Sequence, residues 1–288
     1  MKVKKAVILA AGMGTRMLPS SKVVPKEILP VVDTPAIEVV VEEAVASGIE
    51  EIIIVISPGK TTVVEHFKCN TELERNLEER GKHDLLEIVR RSNNPARITV
   101  AEQRQPLGLG HAVLQAREAV GNEPFAVMLP DDIFDCPRPC LRQCLDVAEE
   151  RDAPVVALLR VARSELSKYG IVDAKAAGAR TYELRGMVEK PAPEKAPSEF
   201  AIMGRYVLTP DIFELLAAGK PGAGGEIQLT DALMELTARR AIYGYEFEGI
   251  RYDLGDRVGF ISAQIGFGLK RPELADRLRA YLKSVISQ

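Results

Sequence analysis

The chain has 288 residues, 46% hydrophobic and 27% charged, with a formal net charge of −3. That length can bury a sizeable core, while the slight acidic excess and the absence of tryptophan argue against a nucleic-acid partner. No apolar run reaches the length of a membrane span.

The start, "MKVKKAVILAAG", has a charged beginning and an apolar stretch, as a secretion signal would. The apolar part covers only Ala6 to Ala11, however, and a glycine loop with Arg16 follows. It reads as a buried strand over Val3 to Leu9 and its loop, which makes the cytoplasm the expected compartment. Thr34-Pro35 reads as a helix cap with proline at the first helical position. Ile37, Val41, Ala44 and Val45 then line one face, and Gly48 ends the helix. "EEIIIVIS" and "ARITVAEQ" are the next strands, Leu109 to Ala119 is a helix, and "PFAVMLP" is a fourth strand.

Alternating strands and helices with nearly unbroken apolar strands predict an α/β fold, with a parallel sheet covered on both faces. Ligands in such sheets sit at the carboxyl ends of the strands. The segments after the first, third and fourth strands, "AAGMGTR", "QRQPLGLG" and "PDD", should therefore converge on one crevice.

The second half is more mixed. "APVVALLRV", "YGIVD", "YELRGMVEK" and "FAIMGRYVL" read as strands, and "KPAPEKAPSEF" as a surface loop. "GEIQLTDALMELTARR" is a capped helix with Thr230 as its cap, "AIYGYEFEG" a strand, and "PELADRLRAYLKSVIS" an amphipathic helix. Cys136, Cys140 and Cys144 fall on one helical face. With Cys69 far away and three scattered histidines, they read as small apolar residues on a buried face rather than a metal site.

The glycine loop fits neither familiar phosphate-binding pattern. Gly12 and Gly14 match G-x-G-x-x-G, but Met17 stands at the third glycine, and no Gly-Lys precedes Ser or Thr as in a P-loop. The two glycines still let backbone N–H groups approach an anion. Arg16 offers a fork suited to phosphate. Lys22 and Lys26 follow in a segment stiffened by Pro19, Pro25 and Pro30. Several fixed cations at one site suit a triphosphate whose pyrophosphate must leave.

"LAAGMGTRMLPSSKVVPKEILPVVDTPAIEVVVEEAVASGI" resembles the start of the bacterial UTP–glucose-1-phosphate uridylyltransferases, which are sugar-nucleotide pyrophosphorylases. The likeness continues through "QPLGLGHAV", "PFAVMLPDD", "YGIVD", "VEKP", "GRYVLTPDIF", "GAGGEIQLTDAL" and "YDLGDRVGF", and so covers nearly the whole chain in order. It implies a Rossmann-like nucleotidyltransferase fold of the glycosyltransferase-A kind, with a mixed, mainly parallel sheet. It also implies a single domain over residues 1–288. The nucleotide-binding part would run to about 135, the sugar-phosphate part from about 136 to 255, and C-terminal helices from about 256 to 288.

The implied reaction joins UTP and glucose 1-phosphate to give UDP-glucose and pyrophosphate, by in-line attack of the sugar phosphate on the α-phosphorus. Catalysis is then positioning and charge stabilisation. By the same likeness, Ala10, Ala11, Gly12 and Gly14 cradle the nucleotide, and Arg16 and Lys26 hold the β- and γ-phosphates. Gln103 reads the uracil edge, and Gly108 lets the base approach the backbone. Asp131 and Asp253 hold Mg²⁺, which usually takes one or two protein carboxylates. Asp132, its neighbour on extended chain, should point the other way as a solvated or helix-capping carboxylate. Glu189 accepts sugar hydroxyls and Lys190 meets the sugar phosphate, which requires a local twist if both serve one ligand. Gly170 and Gly204 bring backbone close to the sugar, with Glu226 and Gln228 as weaker candidates.

The likeness further implies a homodimer or homotetramer, with no nucleic acid or membrane partner. Departures are small: Ser21 stands where threonine is usual, Ile28 replaces methionine, Thr34 replaces lysine, and Glu38-Val39 replaces Gln-Tyr. A different nucleotide such as dTTP, or a different sugar 1-phosphate, is the alternative within the same chemistry. A regulatory paralogue would lack Arg16, Lys26, Asp131 or Lys190, and all four are present. A Rossmann oxidoreductase is weakened by Met17.

Overall fold

The computed structural model describes residues 1–93, 95–219 and 221–286. Eleven strands organise the molecule around the site: β1 Lys5–Ala10, β2 Glu51–Ile56, β3 Arg97–Glu102, β4 Phe125–Met128, β5 Asp132–Asp135, β6 Val155–Arg160, β7 Gly170–Gly178, β8 Thr181–Glu189, β9 Phe200–Leu208, β10 Tyr243–Glu246 and β11 Ile250–Asp253. Nine of them form one sheet in the order β3-β2-β1-β4-β9-β6-β10-β8-β7. Strands β1 to β4 pair in parallel. Beyond them β9 runs antiparallel to both β4 and β6, β6 and β10 are parallel, and β7 and β8 form an antiparallel hairpin. The sheet is mixed, as expected, with its parallel order concentrated in the first half.

Strand alternation explains why both faces are covered. In β1 and β2, Ala6, Ile8, Ala10, Ile52, Ile54 and Ile56 point to one apolar layer, and Val7, Leu9, Ile53 and Val55 to the other. Helices α1 (Ala36–Ala46), α5 (Cys140–Arg151) and α8 (Arg257–Gly268) contribute to the first layer. Helices α4 (Leu109–Gln115), α6 (Ile212–Ala218) and α7 (Leu229–Thr237) cover the second. An all-apolar strand with two buried faces is the signature of such a sandwich.

Several boundaries differ from the sequence reading. Strand β1 begins at Lys5 rather than Val3. Pro35 is the N-cap of α1 rather than its first helical residue, because Thr34 and Pro35 pair with Val31 and Pro30 in a two-residue ribbon. The Thr34 hydroxyl therefore turns to Asp33 and does not cap the helix. Gly48 follows α1 at φ 91, a left-handed exit suited to glycine. The helix expected to reach Ala119 breaks at Ala116. Helices α2 (Thr71–Glu79) and α3 (His83–Ser92) fill a stretch that gave no assignment in the sequence. The last helix, α9, spans Pro272–Ile286; Ser287, its expected end, and Gln288 lie outside the described residues.

The cysteines behave as an apolar stripe. Cys140 and Cys144 are fully buried on α5 and pack into the first layer, while Cys136 lies just before the helix. Burial pushes the Cys136 thiol up to about 12 and the Cys140 thiol well above its ordinary value. In the native protein a thiol reagent at pH 8 should therefore modify exposed Cys69 quickly, and Cys140 and Cys144 only after unfolding. Rapid native modification of three or more thiols would contradict that packing.

Candidate active site

A cavity of about 500 Å³ opens beside the carboxyl ends of the first-half strands. Its wall takes Arg16 from the loop after β1, Leu109 from the segment after β3, and Leu129 and Asp131 from the segment after β4. The three expected segments thus converge. From the second half it receives Gly170, Glu189, Lys190, Gly204, Gln228 and Thr230, together with Arg251 and Asp253 from β11.

The loop after β1 turns at Gly14, whose φ of 68 favours glycine, and then winds through the short turn Thr15–Met17. Ser21 donates its hydroxyl to Gly14 O at 2.6 Å. This is a bond that threonine could equally make, so the departure at this position is conservative. The turn exposes Arg16, whose guanidinium nitrogens stand 3.6 Å from Asp131 and 3.8 Å from Asp253. Lys26 arrives on the turn after Pro25 and places Nζ 2.6 Å from Asp131 Oδ2. Burial opposes the charge on both partners. The Lys26 ammonium nevertheless holds the Asp131 carboxyl below its usual range, and Asp131 raises Lys26 in return. Lys22 is exposed and does not line the cavity.

Strands β5 and β11 pair as an antiparallel ribbon with Asp253 opposite Asp132. That register, and the Leu254 N–H donated to Asp131 O at 2.8 Å, carry Asp253 into the same cavity as Asp131. Among the described residues no three acidic, histidine or cysteine side chains converge as a metal cage. Asp131 and Asp253, two of the carboxylates that line the cavity, are nonetheless a donor set that suits a divalent ion held largely by phosphate oxygens. Asp131 lies in the turn before β5, so strand alternation does not part the pair, and Asp132 lines the same cavity; it is neither solvated nor a helix cap. It is buried, accepts Gly204 N–H at 2.8 Å, and pairs with Arg251. Immediately after the strand the chain bends back, and the ribbon with β11 covers this carboxylate.

Glu189 and Lys190 do serve one cavity, and the backbone shows how. Lys190 adopts φ 46, a left-handed conformation that is rare without glycine. This breaks the strand alternation and leaves Lys190 Nζ 3.4 Å from Glu189 Oε1. The other carboxylate oxygen accepts the Thr230 hydroxyl at 2.7 Å. Thr230 lies inside α7, whose N-cap is Gln228, so the expected cap role is replaced by this contact. Gly170 leaves little room for a side chain: a Cβ there would come 3.0 Å from Thr230 Oγ1 and 3.2 Å from Glu189 Oε2, so those side chains would have to give by a few tenths of an ångström. At Gly204 a Cβ would come 2.7 Å from both Asp132 Oδ2 and Leu129 Cβ, beside a register shift in the β9–β6 pairing.

Several expected contacts stand back from this cavity: Ala10, Ala11, Gly12, Gly14 and Lys26 lie outside its wall, and so do Gln103 and Gly108. Gln103 is buried, donates Nε2–H to Gly108 O at 3.0 Å, and lies 3.0 Å from His111 Nδ1. Gly108 is at φ 105, where a Cβ would meet Glu226 Cβ at 2.7 Å, so packing against the segment before α7 already demands glycine. Neither residue lines the cavity, and neither does Glu226.

The family model described as nucleotidyl transferase matches residues 5–266. The chain belongs to the nucleotidyl transferase family. It is 47% identical over 287 residues to the UTP–glucose-1-phosphate uridylyltransferase of Bacillus subtilis, covering 100% of this chain and 98% of the relative. It is similar to a UTP-bound UDP-glucose pyrophosphorylase from Acinetobacter baumannii at 38% identity and TM-score 0.90, over 98% and 99% of the two chains. A further solved structure, a UDP-glucose pyrophosphorylase complexed with UDP-glucose, is 40% identical with TM-score 0.86, over 94% of this chain and 100% of that one.

Within this nucleotidyl transferase, Arg251 is a cavity residue that the sequence did not single out, and Thr230, expected only as a helix cap, is another member of the wall. Arg251 reaches Asp132, Asp253 at 3.3 Å and Tyr169 Oη at 3.0 Å, and its guanidinium lies over the Tyr169 ring. Both arrive through tertiary pairing, so no local motif marked them as cavity residues. Glu38 makes a contact away from the cavity: it accepts from Ser92 Oγ at 2.6 Å and lies 2.7 Å from His66 Nε2.

Proposed function

We propose that the protein transfers a uridylyl group from UTP to glucose 1-phosphate, giving UDP-glucose and pyrophosphate. The carrying observation is one cavity that joins Arg16 and Asp131 from the phosphate-binding half to Glu189, Lys190 and Asp253 from the other. In this reading Ala10, Ala11, Gly12 and Gly14 cradle the nucleotide, and Arg16 and Lys26 bind the β- and γ-phosphates. They neutralise charge as pyrophosphate leaves. Gln103 and Gly108 shape the base end. Because Gln103 Nε2 is engaged internally, a base contact there uses the amide oxygen or a rearranged side chain.

On the sugar side, Glu189 accepts hydroxyl protons of glucose, and Thr230 fixes the carboxylate that does so. Gly170 and Gly204 keep the cavity wall open to the sugar. Lys190 holds the phosphate of glucose 1-phosphate so that one of its oxygens faces the α-phosphorus in line. Asp131 and Asp253 would hold Mg²⁺, which supplies charge neutralisation on the phosphates when bound. No nucleophilic side chain is required, because the sugar phosphate is itself the nucleophile.

We assign the nucleotide to roughly residues 1–135 and the sugar phosphate to roughly 136–255. The cytoplasm is the proposed compartment, since a nucleoside triphosphate is consumed; no helix among the described residues is long and apolar enough to cross a membrane. A homodimer or homotetramer is the proposed assembly, with exposed Tyr281 and Ile286 on α9 as a contact surface.

Pyrophosphate release with Mg²⁺, glucose 1-phosphate and each nucleoside triphosphate in turn tests the reading. UTP should be the best substrate; equal or better turnover with dTTP would assign the protein to another nucleotide. Glu189→Gln should raise KM for glucose 1-phosphate about tenfold or more, as expected for loss of a charged hydrogen-bond acceptor, with KM for UTP nearly unchanged. An unaltered KM for the sugar phosphate would remove Glu189 from that role.

A further inference from the structure

Lys60 stands outside the cavity wall yet fastens both arms of the nucleotide site. It follows β2 on the turn "SPGK", where Gly59 takes φ 84. Its largely buried ammonium donates to Ala10 O at 2.8 Å, Gly12 O at 2.7 Å and Glu27 Oε2 at 2.8 Å. An ammonium has three N–H donors, so these contacts use all of them.

Geometry makes this more than a buttress. In a trans peptide the carbonyl of one residue and the N–H of the next point in opposite directions. With the Ala10 and Gly12 carbonyls turned to Lys60, the N–H groups of Ala11 and Met13 face away from it. A glycine loop without such an anchor could rotate either peptide and present a carbonyl, which repels phosphate, instead of an N–H. The third contact reaches the other arm. Glu27 is 1% exposed and adjoins Lys26, whose ammonium meets Asp131. Burial pushes the Glu27 carboxyl up, and Lys60 is the strongest influence opposing that shift.

We propose that Lys60 is a positioning residue for the nucleotide, locking the peptides of the Ala10–Gly14 loop with their N–H groups toward the ligand and tying that loop to the turn that carries Lys26. This rests on the uridylyl reading above.

The test compares Lys60→Met with the double variant Glu27→Gln/Lys60→Met, using UTP as the calorimetric probe. Lys60→Met alone strands a buried carboxylate and should melt lower. The double variant removes that charge and should recover most of the lost melting temperature. It should still bind UTP at least about tenfold more weakly, the scale of a misplaced binding group. KM for glucose 1-phosphate should stay within about twofold. A stable double variant that binds UTP as tightly as the wild type would overturn the proposal. Equal losses toward UTP and glucose 1-phosphate, in step with lowered stability, would show a purely structural lysine and overturn it as well. Wild-type protein that fails to bind UTP would sink the uridylyl reading itself, which distinguishes the two failures.

Discussion

Asp131→Ala should lower turnover on the order of a thousandfold, the scale of losing one preorganised electrostatic group at a reacting centre, while the chain still folds. Asp131 is the acidic residue nearest both phosphate-binding cations, at 2.6 Å from Lys26 and 3.6 Å from Arg16. Its loss removes a proposed metal ligand and frees Lys26 from its fixed place at once. The fold should survive because Asp131 contributes its backbone carbonyl, not its side chain, to the Leu254 bond that closes the β5–β11 ribbon. Steady-state pyrophosphate release and a melting curve on the same preparation check both halves. Near-normal turnover would remove Asp131 from the metal role.

The largest stability loss is expected from Arg205→Leu. Arg205 is fully buried on β9, and its guanidinium meets both oxygens of Glu43 on α1, the closest contact being 2.6 Å. It also donates to the carbonyls of Leu129, Gly204 and Asp132 and lies 4.5 Å over the Phe134 ring. Glu43 in turn accepts the N–H of Leu141 at the start of α5. One side chain therefore binds α1, α5, β5 and β9 together behind the cavity. Removing it leaves a buried carboxylate without its charged partner and takes one donor from each of three carbonyls, which costs about 3–5 kcal/mol. For a chain of this length that corresponds to a drop of roughly 5–8 °C in Tm. The double variant Glu43→Leu/Arg205→Leu should lose less than Arg205→Leu alone, because it removes the stranded charge. Calorimetry that ranks the double variant below the single one would contradict this account.

The site was legible wherever its chemistry lies in one stretch of chain. The glycines, Arg16 and Lys26 share a single segment with telling prolines, and the rule that ligands gather at strand carboxyl ends brought three separate loops to one crevice. The Asp131–Asp132 and Glu189–Lys190 pairs show the limit. Alternation along a strand does not separate the two aspartates, because Asp131 lies in the turn before β5 and both line the cavity, and burial of Asp132 depends on the ribbon with β11, which no local pattern announces. The twist needed to bring Glu189 and Lys190 together is present as a positive φ at a lysine, a conformation that sequence gives no reason to place there. Arg251, Lys60 and the contact of Thr230 with Glu189 were missed for the same reason: their partners lie 119, 33 to 50 and 41 residues away. In the fold, the doubly apolar strands marked the parallel half well. The antiparallel half, with less continuous burial, gave its strands but not their order. Helices α2 and α3 escaped because only Leu77 and Leu86 among their residues are buried.

The most direct test follows the label from α-³²P UTP after incubation with glucose 1-phosphate and Mg²⁺ and an acid quench. A single in-line transfer within this cavity predicts that the label appears in UDP-glucose, with unlabelled pyrophosphate released in equal amount and none of the label on the protein. Label retained on the protein after denaturation, or recovered as UMP instead of the sugar nucleotide, would contradict the account.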